Sequence, residues 1–291
     1  IPADTRLTPR PPQLPAWDSL SARERAFHAR QMEVAAAQLV FQDEQIGRIF
    51  DELDRMGETD RTLFAFVLGD NGASGESGPG GTLNELRTIA VQNERKEWLW
   101  SNLDKQGGPD TYQNYSVAWA WAATAPYPWV KQYASMLGGI RNGMILSYPK
   151  HAGRPGTICA QFGHLIDIAP TILDAAGIPA PTQVLGTQQK PMDGQSLLSS
   201  MKDCKPDNPR TQYFEISGKM GLYKDGWFLS GEDGRDSWTE MGAGGARPPV
   251  QWSLYNLATD FSQSTDLAKQ EPERLKTMMA TFDQEAKKNN V

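Results

Sequence analysis

Two adjacent side chains raise the first chemical question. Asp70 and Asn71 stand together in Gly69-Asp70-Asn71-Gly72, directly after the apolar run Thr62 to Leu68. A carboxylate beside an amide oxygen suits a hard divalent cation such as calcium or magnesium, which takes oxygen ligands. The same Asp-Asn-Gly stretch is also a favoured turn for conformational reasons alone. Two oxygens fall short of the ~6–8 that calcium takes, so a cation held here would draw most of its ligands from elsewhere. The second candidate is Lys131, a positive charge behind the aromatic stretch Tyr127-Pro128-Trp129-Val130. Taken alone, such a lysine reads as a solvated surface residue.

Other residues with chemical capacity fit their surroundings in simpler ways. No two of His28, His151 and His164 sit at the i, i+4 spacing of a helical metal-ligand pair. His28 falls inside a helical pattern and His164 at the start of another, which predicts packing and capping roles. Cys159 and Cys204 are too few for a disulfide framework, and either one bridge or two free thiols satisfies the count. Asn114-Tyr115-Ser116 fits the glycosylation pattern. No Gly-x-Ser-x-Gly, P-loop or dinucleotide fingerprint occurs.

The elements that must position Asp70, Asn71 and Lys131 have their own signals. Ser21-Ala22-Arg23-Glu24 has the form of a capping box. From there to Met56, the apolar residues Met32, Ala35, Ala36, Leu39, Ile46, Ile49, Phe50 and Leu53 recur at helical spacing, and Gly57 follows as a C-cap. Thr62 to Leu68 predicts a strand buried on both faces, and Asn142 to Tyr148 a second one. A helix, a tight turn, a buried strand and a polar cluster form an α/β pattern, in which ligands bind outside the carboxyl ends of the strands. Residues 72–117, rich in Gly, Asn and Gln, predict a long irregular loop. Gly163 to Ala176 predicts a helix kinked at Pro170 and ended by Gly177.

Beyond about residue 205 the pattern changes. Gln212 to Ile216, Gly221 to Leu229 with a turn at Lys224-Asp225-Gly226, and Ser253 to Leu257 predict strands. Pro272 to Lys287 predicts a terminal helix with Leu275, Met278, Met279 and Phe282 on one face. Gly242 to Pro249 reads as a flexible loop. The expected organisation is a main α/β domain over 1–205, opening with a Pro-rich linker at 1–20, and a small α+β subdomain over 206–291. Pro2, Pro9, Pro11, Pro12 and Pro15 so near the head suggest a chain that opens in mid-linker, and hence a fragment.

The totals remove several classes. A formal net charge of −6 over 291 residues argues against a nucleic acid or an acidic membrane surface as the main partner. No apolar run approaches the ~18 residues of a membrane span.

Several blocks resemble the bacterial arylsulfatase branch of the type I sulfatases, and they occur in that family's order. Pro15-Ala16-Trp17-Asp18-Ser19-Leu20 and Ala29-Arg30-Gln31-Met32-Glu33-Val34 resemble the stretch before its second metal motif. Phe66-Val67-Leu68-Gly69-Asp70-Asn71-Gly72-Ala73-Ser74 resembles that motif itself. Lys131 followed by Gly138-Gly139-Ile140-Arg141 resembles the segment with a sulfate-binding lysine. His164 through Leu173, Asp193 through Leu197, and Tyr255-Asn256-Leu257 through Asp266-Leu267 resemble later landmarks. Gly69 stands where the family usually has serine, Leu137 where it commonly has glutamate, and Asn142-Gly143 where it has Val-Pro.

The resemblance implies the C-terminal part of an alkaline-phosphatase-like α/β fold, a mixed sheet flanked by helices, plus a small antiparallel sheet with a terminal helix. It implies that Asp70 and Asn71 coordinate a divalent cation, most often calcium with magnesium open, and that Lys131 contacts the sulfate of a small-molecule sulfate ester. Related phosphatases and phosphonate hydrolases tend to carry histidine where Asn71 stands, so Asn71 favours sulfate esters. The aromatic segment Tyr112 to Tyr133, with Trp119, Trp121 and Trp129, either lines an aryl pocket or packs the core. The family's formylglycine segment, Cys- or Ser-x-Pro-Ser-Arg, does not occur here, nor do its first metal motif and catalytic lysine–histidine region. The expected partner is therefore a missing N-terminal half, without which the chain would be inactive. A phosphate or phosphonate monoester hydrolase and a non-catalytic sulfatase-like binding module are the rival readings. Bacterial cytoplasm or periplasm is the expected location.

Overall fold

The computed structural model describes residues 1–90, 94–151, 153, 155–204, 209–235 and 248–291. They form two compact units, one of Ile1–Asp43, Asn71–Asn142 and Thr211–Val291, the other of Glu44–Asp70 and Gly143–Arg210. The expected 205/206 domain boundary, and most of the Gly242 to Pro249 loop, lie outside the described residues. Among the described residues no helix is long and apolar enough to cross a membrane.

The first helix, α1, runs over Ala22–Met56. Its capping box forms as predicted: the Ser21 amide donates to Glu24 Oε2 at 3.0 Å, and the Glu24 amide donates to Ser21 Oγ at 3.3 Å. At the other end Gly57 takes φ +70, and the Glu58 amide reaches back to the Leu53 carbonyl at 2.9 Å. This is the left-handed cap that glycine adopts without a Cβ penalty. The expected apolar stripe is helical in spacing but is not buried. Phe27 and Gln31 are the buried residues of α1, whereas Leu39 and Ile49 are 67% and 55% exposed.

The strands that precede and follow the candidate site are shorter and more open than predicted. β1 (Phe64–Val67) and β2 (Met144–Ser147) pair antiparallel, Phe64 opposite Ser147 and Val67 opposite Met144. Neither is buried on both faces, because among the described residues they form a two-stranded ribbon with no further strand beside it. Phe50 of α1 packs on Phe64 at 4.7 Å between ring centroids.

Residues 72–117 are not one irregular loop. They hold α2 (Glu85–Ile89) and α3 (Lys96–Ser101), and α4 (Val117–Thr124) begins at their end. Helices this short show no readable periodicity, which hid them. Leu83 and Leu99 pack with Phe27 into a small core, and Val117 and Ala120 join Leu14, Val130 and Tyr133 in a second. Trp121 and Trp129 pack against that second core, and Trp119 Nε1 donates to the His28 carbonyl at 2.8 Å. Trp121 and Trp129 thus take part in core packing. A single-turn helix, α5 (Leu137–Ile140), precedes β2.

In the other unit, α6 (Ile168–Ala176) follows a 3₁₀ turn at Leu165–Asp167. Pro170 lies in its first turn, where a missing amide leaves no hydrogen bond unmade, and not in mid-helix as expected. Gly177 caps it at φ +67. The short strands β3 (Gln183–Val184) and β4 (Thr187–Gln188) pair, and α7 (Ser200–Asp203) closes this part. Cys159 and Cys204 are not joined in a disulfide.

The C-terminal sheet matches expectation. β5 (Thr211–Ile216), β6 (Lys219–Lys224), β7 (Trp227–Glu232) and β8 (Gln251–Asn256) form an antiparallel meander in that order. The β6–β7 turn carries positive φ at both Asp225 (+48) and Gly226 (+84), the pattern of a tight type I′ hairpin. The terminal helix α8 (Pro272–Lys288) buries Met278 and Phe282 against Leu222, Leu229 and Leu254.

Candidate functional site

Asp70 and Asn71 follow β1 on a turn whose flanking glycines both take positive φ, Gly69 at +89 and Gly72 at +84. Both side chains are exposed, and neither makes a hydrogen bond or ion pair among the described residues. Two unspent oxygen donors of this kind fit a hard cation, although no group of three or more His, Cys, Asp or Glu that could hold a metal occurs among the described residues.

Behind Asn71 the backbone is tied to the lysine segment. The Lys131 amide donates to the Ala73 carbonyl at 3.0 Å. A Cβ on Gly72 would stand 2.1 Å from the Gly138 carbonyl oxygen and 3.0 Å from the Lys131 nitrogen. Glycine is required there by close approach as well as by φ.

The turn that presents Lys131 is unusual in its dihedrals. Trp129 and Gln132 both lie in the left-handed region, at φ +63 and +77. Each such residue costs about 1–3 kcal/mol and persists where the surroundings over-determine it. Those surroundings are visible. The Gly138 amide donates to the Pro128 carbonyl at 2.9 Å, Thr124 Oγ1 donates to the Trp129 carbonyl at 2.7 Å, and the Trp129 and Tyr133 rings stack at 4.5 Å. A Cβ on Gly138 would stand 2.1 Å from the Trp129 carbonyl oxygen, and one on Gly139 2.3 Å from that of Tyr133. The Gly138-Gly139 pair lets α5 seat against the lysine loop.

Lys131 is not a free surface cation. Its Nζ lies 3.0 Å from Glu76 Oε2, with the two side chains 30% and 19% exposed. Glu76 also accepts from Gln132 Nε2 at 3.1 Å and from Ser74 Oγ at 3.2 Å. Asn114 Nδ2 donates to Ser74 Oγ at 2.7 Å and to Glu85 Oε1 at 3.0 Å. The amide of the glycosylation pattern is thereby engaged within the protein. Burial pushes the Tyr115 phenol up, against a hydrogen bond with the Ser74 backbone and the charge of Lys131. Sequence reasoning missed Glu76 and Gln132, and read Asn114 only as part of a glycosylation pattern. Each gains its meaning from chain separations of 40 or more residues, which no local pattern records.

His164 takes the capping role predicted for it. His164 caps the 3₁₀ turn, its ring nitrogen accepting from the Ile166 amide at 3.3 Å while its own amide donates to Asp167 at 2.8 Å. Burial, then the charge of Arg210, lowers its pKa, with Asp167 opposing. Asp167 is itself buried and anchors the Gln195 amide and Arg210, at 2.8 and 2.9 Å. The His164 to Leu173 block is a structural knot.

Comparison with known proteins gives the family and the fold. The family profile described as Sulfatase matches residues 8–178. The uncharacterized sulfatase PB10D8.02c of Schizosaccharomyces pombe is 30% identical over 267 residues, which take in 91% of this chain and 45% of that protein. The arylsulfatase of Klebsiella aerogenes is 29% identical over 204 residues, 69% of this chain and 40% of that one. The chain thus spans less than half the length of these relatives. Among solved structures, Ps i-CgsB superposes with a TM-score of 0.52 at 16% identity, over 83% of this chain and 40% of that one. A Bacteroides thetaiotaomicron protein, BT33336S-sulf, from a locus described as metabolising multiple glycosaminoglycans, gives 0.51 at 20%, over 84% and 42%. These likenesses establish the mixed α/β, alkaline-phosphatase-like fold with its small antiparallel sheet and terminal helix. The chain belongs to the Sulfatase family.

Proposed function

We propose that this chain supplies one wall of a site that hydrolyses sulfate monoesters. In this reading Asp70 and Asn71 are ligands to a divalent cation, and Lys131 meets the sulfate group and stabilises charge on the bridging oxygen as the ester breaks. The observation that carries it is the tie between motif and lysine, the Lys131 amide on the Ala73 carbonyl at 3.0 Å with Gly72 pressed on Gly138. It ties the backbone just after Asn71 to that of Lys131, which supports reading a metal ligand and a sulfate-binding charge as acting together.

The donor set is all oxygen, which favours calcium, with magnesium as the alternative. When bound, the cation supplies Lewis-acid charge stabilisation to the ester oxygens. Asn71 in place of an imidazole ligand favours sulfate over phosphate esters. Glu76 and Gln132 hold the Lys131 turn, and Glu76 must share the ammonium with an incoming anion. The formylglycine nucleophile and the remaining ligands come from sequence outside these 291 residues, and the chain alone is inactive. Small aryl sulfates are the substrate class, by analogy with the Klebsiella aerogenes relative.

The test is turnover of an aryl sulfate and an aryl phosphate by the protein that carries this chain. The sulfate ester should be preferred, and Lys131→Ala should lower kcat/KM about 10²–10³-fold. Asp70→Ala and Asn71→Ala should lower bound metal measured by elemental mass spectrometry. Preference for the phosphate ester by orders of magnitude, or full activity in Lys131→Ala, would defeat the reading.

A further inference from the structure

We propose that the C-terminal sheet positions Lys131 through a buried polar clamp centred on Gln263, an inference that rests on Lys131 being the sulfate-binding group. Gln263 follows β8, is 3% exposed, and sits at φ +56 in the left-handed region. Its amide works in both directions. Oε1 accepts the Leu137 amide at 2.8 Å, and Nε2 donates to the Ser135 carbonyl at 3.0 Å.

The same short segment is gripped at neighbouring residues by the sheet. The Ser135 hydroxyl donates to the Glu232 carboxylate of β7. The Ala134 carbonyl lies where a Cβ on Gly221 of β6 would stand only 2.4 Å away. Lys219 Nζ of β6 lies 5.0 Å from the centroid of the Tyr133 ring. From Tyr133 to Leu137, each residue but Met136 meets the C-terminal sheet or the loop that follows it.

That segment is also the base of the lysine turn. The Tyr133 amide donates to the Val130 carbonyl at 3.3 Å, the Met136 amide to that of Tyr133 at 3.1 Å, and Gly138 ties back to Pro128. Trp129 and Gln132, on either side of Val130-Lys131, hold dihedrals that last only while their surroundings enforce them. A shift at residues 135–137 therefore passes directly into the Lys131 backbone. Gln263 acts through Leu137 and Ser135, so it is a positioning residue.

The test compares Gln263→Met, which keeps length and burial but removes both hydrogen bonds, with the unaltered protein. Two readouts are needed, aryl sulfate kinetics and the rate at which trace acetic anhydride labels Lys131, read by peptide mass spectrometry. The clamp predicts a kcat/KM lower by about 10–10²-fold and a Lys131 labelling rate changed by about threefold or more, with other lysines unmoved. Ser135→Ala, which leaves both Gln263 bonds in place, should move the same two readouts less and in the same direction. A lower Tm with Lys131 labelling and kinetics unchanged in both variants would overturn the clamp and leave Gln263 a purely structural residue. Lys131→Ala run alongside separates the two ideas. If that variant hydrolyses sulfate normally the sulfate-binding role fails, while the labelling rates still decide the clamp.

Discussion

Replacing Lys219 by Met probes the buried charges beneath the lysine turn. Lys219 is fully buried, with Nζ 3.1 Å from Asp233 Oδ1, 3.3 Å from Glu232 Oε2 and 2.7 Å from the Arg235 carbonyl. Methionine keeps most of the stem, so little cavity opens and the loss is mainly one of charge. Removing one partner of a buried pair typically costs about 3–5 kcal/mol, because a charge is left uncompensated. Asp233 is not left so, since Arg235 Nε and Nη2 donate to it at 2.9 and 2.6 Å. Glu232 is, retaining among the described residues the Ser135 hydroxyl.

The pH dependence follows from the two carboxyls. Burial pushes Glu232 above the usual carboxylate range, with Lys219 and Ser135 opposing. A carboxyl raised on folding contributes stability below its unfolded pKa and loses it as pH rises through its folded one. Without Lys219 it is raised further, so the variant's deficit must widen from acid to alkaline pH. Asp233 has the opposite sign. Burial would raise it, but Arg235 and Lys219 hold it down to about 2, so its contribution is present above its unfolded pKa and fades as pH falls through about 2. We expect Lys219→Met to cost about 3–4 kcal/mol at pH 8 and less at pH 5, because a carboxyl raised on folding costs less to leave unpaired as pH falls. Urea unfolding of both proteins at pH 5, 6.5 and 8 measures it. A deficit under about 1 kcal/mol at pH 8, or one that narrows as pH rises, would refute the reasoning.

Three further outcomes follow from particular contacts. Gly138→Ala should destabilise by about 1–3 kcal/mol or more and lower Tm, because its methyl meets the Trp129 and Pro128 carbonyl oxygens at 2.1 and 2.4 Å, backbone atoms with no room to step aside. Gly47→Ala, inside α1 with nothing within 4 Å of the added carbon, should instead raise stability by about 0.5–1 kcal/mol, read as a higher Tm. Glu76→Gln removes the anion facing Lys131 in a partly exposed pair. Stability should move by less than about 1 kcal/mol. KM for an aryl sulfate should fall by up to about fivefold, and a higher KM would show that Glu76 helps rather than competes.

Local signals were read well wherever one turn of chain carries the whole mechanism. The Ser21–Glu24 box, the Gly57 and Gly177 caps and the Asp225-Gly226 hairpin each need only neighbouring atoms, and each forms as predicted. Burial was read less well. The continuous apolar run of β1 and the helical stripe of α1 predict cover, yet Leu68 and Leu39 are 56% and 67% exposed. Apolar composition says that a face can be buried and does not say by what. Asp70, Asn71 and Lys131 stood out through resemblance to a family, since each had an ordinary local explanation. Glu76 and Gln263 offered no signal, because their partners lie 55 and 126 residues away.

The lysine turn shows why such partners matter. Regular secondary structure would give Lys131 a low-energy backbone, but the chain holds it between two residues at positive φ. The cost of about 1–3 kcal/mol for each of the two is comparable to what four buried hydrogen bonds together return at about 0.5–1.5 kcal/mol apiece. Gly138 to Pro128, Thr124 to Trp129 and Gln263 to its two partners supply bonds in that number. The balance is close, so loss of any one contact should shift the turn before it unfolds the domain. Sensitivity to substitution should therefore concentrate at Gly72, Gly138, Gly139 and Gln263, residues with no charge to offer a sulfate, as much as at Lys131 itself.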